Sequence, residues 1–112
     1  MRAKHVILAT GSTPRVLPQG TVRWCQDCGQ CRALSFTEVP QTVVIIGAGV
    51  IGLELGSVWR RLGAEVTLLE ALPTFIPVAD EQVAKEALRT FAKQGLKIHL
   101  GAKIDGVVQN GG

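Results

Sequence analysis

The chain has 112 residues, of which 46% are hydrophobic and 19% are charged, and its formal net charge is +3. This length suits one domain and is too short for an enzyme with a separate catalytic domain, while the composition excludes a disordered tail. The positive charges are scattered and no apolar run approaches the ~20 residues of a membrane span, so we expect neither nucleic acid nor membrane as a partner.

The first apolar run, Val6 to Ala9, predicts a buried strand over residues 4–9 that ends at Thr10 and Gly11. Residues 12–40 differ in character, because they contain three prolines and all three cysteines of the chain. Prolines in such a stretch are typical of connecting segments. We therefore predict a connector between this strand and the elements that follow.

A β-branched, continuously apolar run over residues 42–46 predicts a central parallel strand. The chain then turns at Gly47 and Gly49, and the apolar spacing predicts a helix over residues 50–62 with Gly63 just past its last turn. A second strand is predicted over residues 65–69 and ends at Glu70.

A second helix is predicted to begin after Asp80, a good N-cap residue, and to end at Gly95. A third strand is predicted over residues 96–100. The order from 42 to 100 is therefore β-α-β-α-β, and right-handed crossovers would make the strands parallel in one sheet. The fold class is α/β, a Rossmann-type dinucleotide-binding domain that we expect to be incomplete because the sequence stops at a turn signal.

Residues 47–52 match the pattern G-x-G-x-x-G between a predicted strand and a predicted helix. Gly47 would permit the tight turn, Gly49 would let a pyrophosphate approach the backbone, and Gly52 would let the helix pack closely on the sheet. The free amide groups at the helix start, including those of Val50 and Ile51, and the positive end of the helix dipole would hold the phosphate charge. A glycine-rich turn that binds nothing is the alternative.

Glu70 ends the next strand, 18 residues after Gly52. A carboxylate at this place can accept hydrogen bonds from both ribose hydroxyls, and its charge would repel a 2′-phosphate. The sequence therefore predicts NAD rather than NADP as the cofactor. The alternative for Glu70 is a surface charge at the end of a strand.

The stretch over residues 43–67, which contains Leu-Glu-Leu-Gly-Ser-Val-Trp at 53–59, closely resembles the dihydrolipoamide dehydrogenases. These flavoproteins are a branch of the pyridine nucleotide–disulfide oxidoreductase family, and residues 78–85 and 93–96 extend the resemblance. It implies a parent enzyme that passes electrons from dihydrolipoamide through a dithiol/disulfide and FAD to NAD. It also implies a homodimer that serves a lipoamide-bearing 2-oxo-acid dehydrogenase complex.

The resemblance also implies roles for three residues outside the glycine motif. Thr10 and Gly11 match the Ala-Thr-Gly end of the family's second flavin motif and would lie close to FAD. Glu54 matches a glutamate near the nicotinamide–flavin junction, which pairs with a lysine of the flavin domain. The alternatives are a generic exit from a strand for the first two, and a carboxylate favoured by the helix dipole for Glu54.

The family's redox cysteine pair and its His–Glu acid/base pair have no counterpart in this sequence, so we expect a fragment without catalytic residues. The predicted organisation is the end of an FAD domain over residues 1–15, a connector over 16–40 and an NAD-binding segment over 41–112.

The cysteines Cys25, Cys28 and Cys31 read C-x-x-C-G-x-C and depart from the family pattern. Thiolates at this spacing can bind one metal ion, but a fourth ligand is not evident, so we predict no metal site and interpret the stretch as a local divergence. A metal clasp and a redox pair at Cys28 and Cys31 are the alternatives. The odd cysteine count argues against a secreted disulfide framework and favours a cytoplasmic protein.

Two further functions stay open at the level of the sequence. One is another flavin disulfide reductase of the same family. The other is a stand-alone nucleotide- or metal-binding module, and a non-functional gene fragment is also compatible with the ends of the sequence.

Overall fold

The structure is a computed structural model that describes residues 3–11 and 33–105. Its elements are strand β1 (Thr42–Ile46), helix α1 (Val50–Arg61), strand β2 (Glu65–Leu69), helix α2 (Glu81–Lys93) and strand β3 (Lys97–His99). The three strands form one parallel sheet in the order β1-β2-β3. This arrangement confirms the predicted α/β fold with β-α-β-α-β order.

The register aligns one set of apolar side chains from the three strands on the same face of the sheet. Val43 lies beside Val66, and Ile45 lies beside Leu68, which in turn lies beside Ile98. Val66 and Leu68 are completely buried. The hydrophobic core therefore lies between this face and the helices, because right-handed crossovers place α1 and α2 on the same side.

Helix α1 approaches the sheet closely at Gly56. A Cβ atom at this position would lie 3.2 Å from Ile45 Cδ1 and 3.4 Å from Val66 Cγ1. The helix ends at Leu62 and Gly63, where Gly63 has the positive φ of 107° that favours glycine. The chain then enters β2 directly.

Helix α2 has the cap that the sequence predicts. One carboxylate oxygen of Asp80 accepts hydrogen bonds from the amides of Gln82 and Val83. Exposed ion pairs join Lys85 to Glu81 and Arg89 to Glu86, at spacings of four and three residues along the helix.

The predicted buried strand over residues 4–9 is wrong. The segment has no strand structure, and the side chains of Val6, Ile7 and Leu8 are 74%, 90% and 86% exposed. A strand requires a neighbouring strand for its backbone hydrogen bonds, and the described part of the chain places none beside this segment. The apolar run alone was not sufficient to form the element.

The other differences are small shifts of element ends. Helix α1 ends one residue earlier than predicted and β3 covers 97–99 instead of 96–100, as expected where terminal residues fray. The predicted cysteine cluster and the end of the chain lie outside the described residues. Over residues 3–11 and 33–105, neither helix has the length and apolar character needed to cross a membrane.

Candidate functional site

The loop between β1 and α1 lies at the carboxyl edge of the sheet. Gly47 has a φ of 102°, a conformation that only glycine adopts without strain, and its amide donates a 2.8 Å hydrogen bond to the carbonyl of Leu69. This bond fixes the loop against the end of β2. Open α/β sheets bind their ligands outside the carboxyl ends of their strands, so the loop lies where a ligand site is expected.

Helix α1 begins with amide groups that have no side-chain acceptor among the described residues. Its N-cap is Gly49, which has no side chain to accept a hydrogen bond from the helix, and the first turn contains no acidic residue. The first amides of a helix have no intrahelical acceptors, and together with the helix dipole they attract an anion. Val50 and Ile51 are 58% and 54% exposed, so the approach to this end is open.

The space around Gly49 is also open. A Cβ atom at this position would meet nothing within 4 Å among the described residues. Because nothing in the fold needs this space, it can accept part of a ligand that lies against the backbone. This observation fits a pyrophosphate group, and the residues present therefore fit the nucleotide that the sequence predicts.

Gly52 has a different role, because a Cβ atom here would overlap the carbonyl oxygen of Gly47 and crowd Ile45. The glycine allows α1 to start directly behind the loop. Its place agrees with the predicted close packing of the helix on the sheet.

Glu70 lies next to the glycine loop and bonds to it. Its Oε2 accepts a 2.9 Å hydrogen bond from the amide of Ala48, and its Oε1 accepts a 2.9 Å hydrogen bond from the amide of Leu72. The bonds from Leu72 and Ala48 lower the pKa of Glu70 below its ordinary value of 4.5, against the opposing effect of desolvation. The carboxylate is therefore charged at neutral pH and lies at the edge where a ribose would follow a pyrophosphate.

The backbone of Glu70 is held by the third strand and by the segment that follows it. Its amide donates to the carbonyl of His99, and its carbonyl accepts from the amide of Ala102, both at 2.8 Å. The side chain therefore projects from a rigid support. The sequence predicts the place of Glu70, but its bond to the Ala48 amide was missed, since a backbone donor has no signature in residue type.

Three of the predicted site residues do not join this arrangement. Thr10 and Gly11 lie in the exposed segment 3–11 and form no hydrogen bond with the rest of the described chain. Glu54 is exposed beyond the first turn of α1 and has no ion pair or hydrogen bond within the described residues. The described ranges also contain no group of three His, Cys, Asp or Glu residues that could hold a metal ion.

Comparison with known proteins gives a match along the whole chain. The family described as pyridine nucleotide-disulphide oxidoreductase matches residues 1–112. A dihydrolipoyl dehydrogenase of Cupriavidus necator is 56% identical over 105 residues, which are 94% of this chain and 22% of the relative. A leghemoglobin reductase of Vigna unguiculata is 44% identical over 111 residues, 99% of this chain and 21% of the relative.

A solved structure shares the fold. The HOCl-induced flavoprotein disulfide reductase RclA of Escherichia coli, in its Cu(II) complex, superposes with a TM-score of 0.64 and 34% identity. The match covers 66% of this chain and 17% of that protein. The chain thus spans about a fifth of the length of the proteins that it resembles.

Proposed function

The chain belongs to the pyridine nucleotide-disulphide oxidoreductase family, and from this membership we propose that residues 41–112 are the NAD-binding segment of a dihydrolipoamide dehydrogenase. One observation carries the proposal: the uncapped start of α1, the open space at Gly49 and the charged carboxylate of Glu70 lie at one edge of the sheet. An anion and a ribose fit this combination.

The pyrophosphate lies against the backbone at Gly49 in this proposal. The amides of Val50, Ile51 and Gly52 donate hydrogen bonds to it, and the dipole of α1 adds favourable charge. Gly47 and Gly52 have a structural role, because they lack side chains. They allow the loop to turn and the helix to start close to the sheet.

Glu70 selects the nicotinamide nucleotide in this proposal. Its carboxylate accepts hydrogen bonds from the ribose hydroxyls of NAD, and its negative charge opposes the 2′-phosphate of NADP. The lowered pKa of Glu70 supports this, because the charge persists throughout the neutral range.

The parent enzyme would oxidise dihydrolipoamide and reduce NAD. The 56% identity to a dihydrolipoyl dehydrogenase supports this substrate. Bound FAD and NAD supply the electron transfer in such an enzyme, whereas the residues described here bind and orient the nucleotide. We further propose a cytoplasmic homodimer that serves a lipoamide-bearing 2-oxo-acid dehydrogenase complex.

The first part of the chain would belong to the flavin side of the parent. In this proposal residues 1–15 end an FAD domain, with Thr10 and Gly11 near the flavin, and residues 16–40 connect it to the NAD-binding segment. Glu54 would face the junction between the flavin and the nicotinamide. The support is the family resemblance and the flavoprotein named among the similar structures.

A second candidate is another reductase of the same family. The leghemoglobin reductase at 44% identity supports it, because its name states a different electron acceptor. Both candidates share the nucleotide site, so binding experiments on this chain test the shared part.

The experiment is a fluorescence titration of the chain with NADH and, separately, with NADPH. We expect NADH to bind at least about tenfold more tightly, a difference of about 1.4 kcal/mol. In the Glu70→Ala variant, NADH binding weakens and the preference for NADH over NADPH disappears.

Glu65→Ala is the matched control, since it removes a carboxylate from the opposite end of the same strand, where Glu65 pairs with Lys97. This variant should retain the affinity and the preference of the unmodified chain. Absence of NADH binding by a folded chain, or tighter binding of NADPH, would contradict the proposed function.

A further inference from the structure

The two carboxylate oxygens of Glu70 bond to two different loops before any ligand is present. Oε2 accepts from Ala48 in the glycine loop, and Oε1 accepts from Leu72 in the loop after β2. Ala48 is only 2% exposed, so its amide has little access to water. A buried amide without an acceptor is unfavourable, and Glu70 therefore stabilises this particular shape of the glycine loop.

The same carboxylate retains capacity for a ligand. An ionised carboxylate offers about four acceptor positions on its two oxygens. The Ala48 and Leu72 amides use one position on each oxygen. One position on each oxygen is left, which matches the two adjacent hydroxyls of a ribose.

We propose that Glu70 is a positioning residue for the pyrophosphate as well as an acceptor for the ribose: through Ala48 it holds the glycine loop in the shape that binds phosphate. The inference rests on the proposed function for its ligand. It goes beyond that function because Glu70 then affects parts of the nucleotide that it does not touch.

The consequence concerns a ligand that has no ribose hydroxyls. If Glu70 served only the ribose, its removal would not change the binding of such a ligand. If Glu70 also shapes the loop, its removal weakens the binding of the phosphates alone. A diphosphate nucleotide with and without the hydroxyls separates the two effects.

The binding experiment compares ADP with 2′,3′-dideoxy-ADP by isothermal titration calorimetry. We expect Glu70→Ala to weaken the binding of the dideoxy nucleotide at least about tenfold. The Glu70→Gln variant should recover part of this loss, because its amide oxygen can still accept from Ala48. Glu65→Ala should bind both nucleotides like the unmodified chain. Unchanged binding of the dideoxy nucleotide by Glu70→Ala would overturn the inference.

A second measurement uses the unmodified chain and needs neither a ligand nor a substitution. In the unmodified chain, the amide resonances of Ala48 and Leu72 should shift together on acidification, with a midpoint below 4.5, because protonation of Glu70 weakens both bonds. An Ala48 resonance that does not follow this titration would overturn the inference. If instead the resonance follows it and NADH does not bind, the proposed function fails while the loop contact stands.

Discussion

The three glycines of the 47–52 motif differ in what the fold requires of them. Gly47 has a positive φ, Gly52 has no room for a side chain, and Gly49 has neither restriction, with a φ of −76° that any residue adopts and open space around it. Folding therefore explains why Gly47 and Gly52 are glycines. Gly49 is unexplained by the fold, and its open space is the residue-scale argument for a bound nucleotide.

The alanine variants at Gly49 and Gly52 should separate binding from folding. We expect Gly49→Ala to change the free energy of unfolding by no more than about 0.5 kcal/mol, while its methyl group weakens NADH binding at least about tenfold. Gly52→Ala should destabilise the chain by about 1–3 kcal/mol, because its Cβ overlaps a backbone carbonyl that cannot move aside. Urea unfolding and NADH titration of each variant measure both effects. If Gly49→Ala binds NADH as tightly as the unmodified chain, the proposed place of the pyrophosphate at Gly49 is wrong.

The sequence predicted the turn at Gly47 and the close packing at Gly52, because both follow from the lack of a Cβ atom. The pyrophosphate role of Gly49 stays a prediction. The sequence also predicted the place of Glu70, since the acidic residue directly follows a recognisable strand. It could not predict that Glu70 bonds to Ala48, because that contact depends on the direction of a backbone amide. The roles of Thr10, Gly11 and Glu54 stay predictions, since their partners would come from elements beyond those described.

At the scale of elements, the two helices start in opposite ways. The first amides of α2 donate to Asp80, whereas the first amides of α1 have no side-chain acceptor in the part of the chain that the structure describes. A capped helix start is stabilised by the chain itself, and an uncapped start can take an external anion. This contrast indicates a structural role for the start of α2 and supports the proposed binding role of the start of α1.

Removal of the α2 cap should therefore affect stability alone. We expect Asp80→Ala to lower the free energy of unfolding by about 1 kcal/mol and to leave the NADH affinity unchanged, because the described contacts of the Asp80 side chain are with the amides of Gln82 and Val83 in its own helix. Asp80→Asn is the control, since an asparagine side chain also accepts from the helix amides. Urea unfolding measures the stability. If the Asp80→Ala variant is folded and still loses NADH affinity, the start of α2 takes part in the site.

The prediction of an element succeeded where a segment has a clear apolar pattern and also has a neighbouring strand or helix to pack against. The strands β1, β2 and β3 lie next to one another in the chain and in the sheet, so their patterns were sufficient. The run over residues 4–9 has an equally apolar pattern, but no described strand pairs with it. Hydrophobicity indicates the tendency of a segment to be buried, and the partner strand decides whether it forms.

At the scale of the whole molecule, the helices of the described residues cover the sheet on one face only. Val44 and Ile46 point to the opposite face of β1 and are 52% and 40% exposed among the described residues. Parallel sheets are normally covered on both faces. With the observed strand order β1-β2-β3, right-handed crossovers place both helices on the same face, so the exposed face follows from the topology of the sheet.

An exposed apolar face on β1 should make the isolated chain self-associate. We expect the weight-average mass from light scattering to rise with concentration, and the double variant Val44→Thr, Ile46→Thr to reduce this rise, because threonine keeps the β-branched shape while adding a polar group. Val58→Thr is the matched control, since it changes a 49% exposed valine on α1. A monomer at high concentration would contradict the expectation. An equal effect of Val58→Thr would place the contact on the helical side of the sheet.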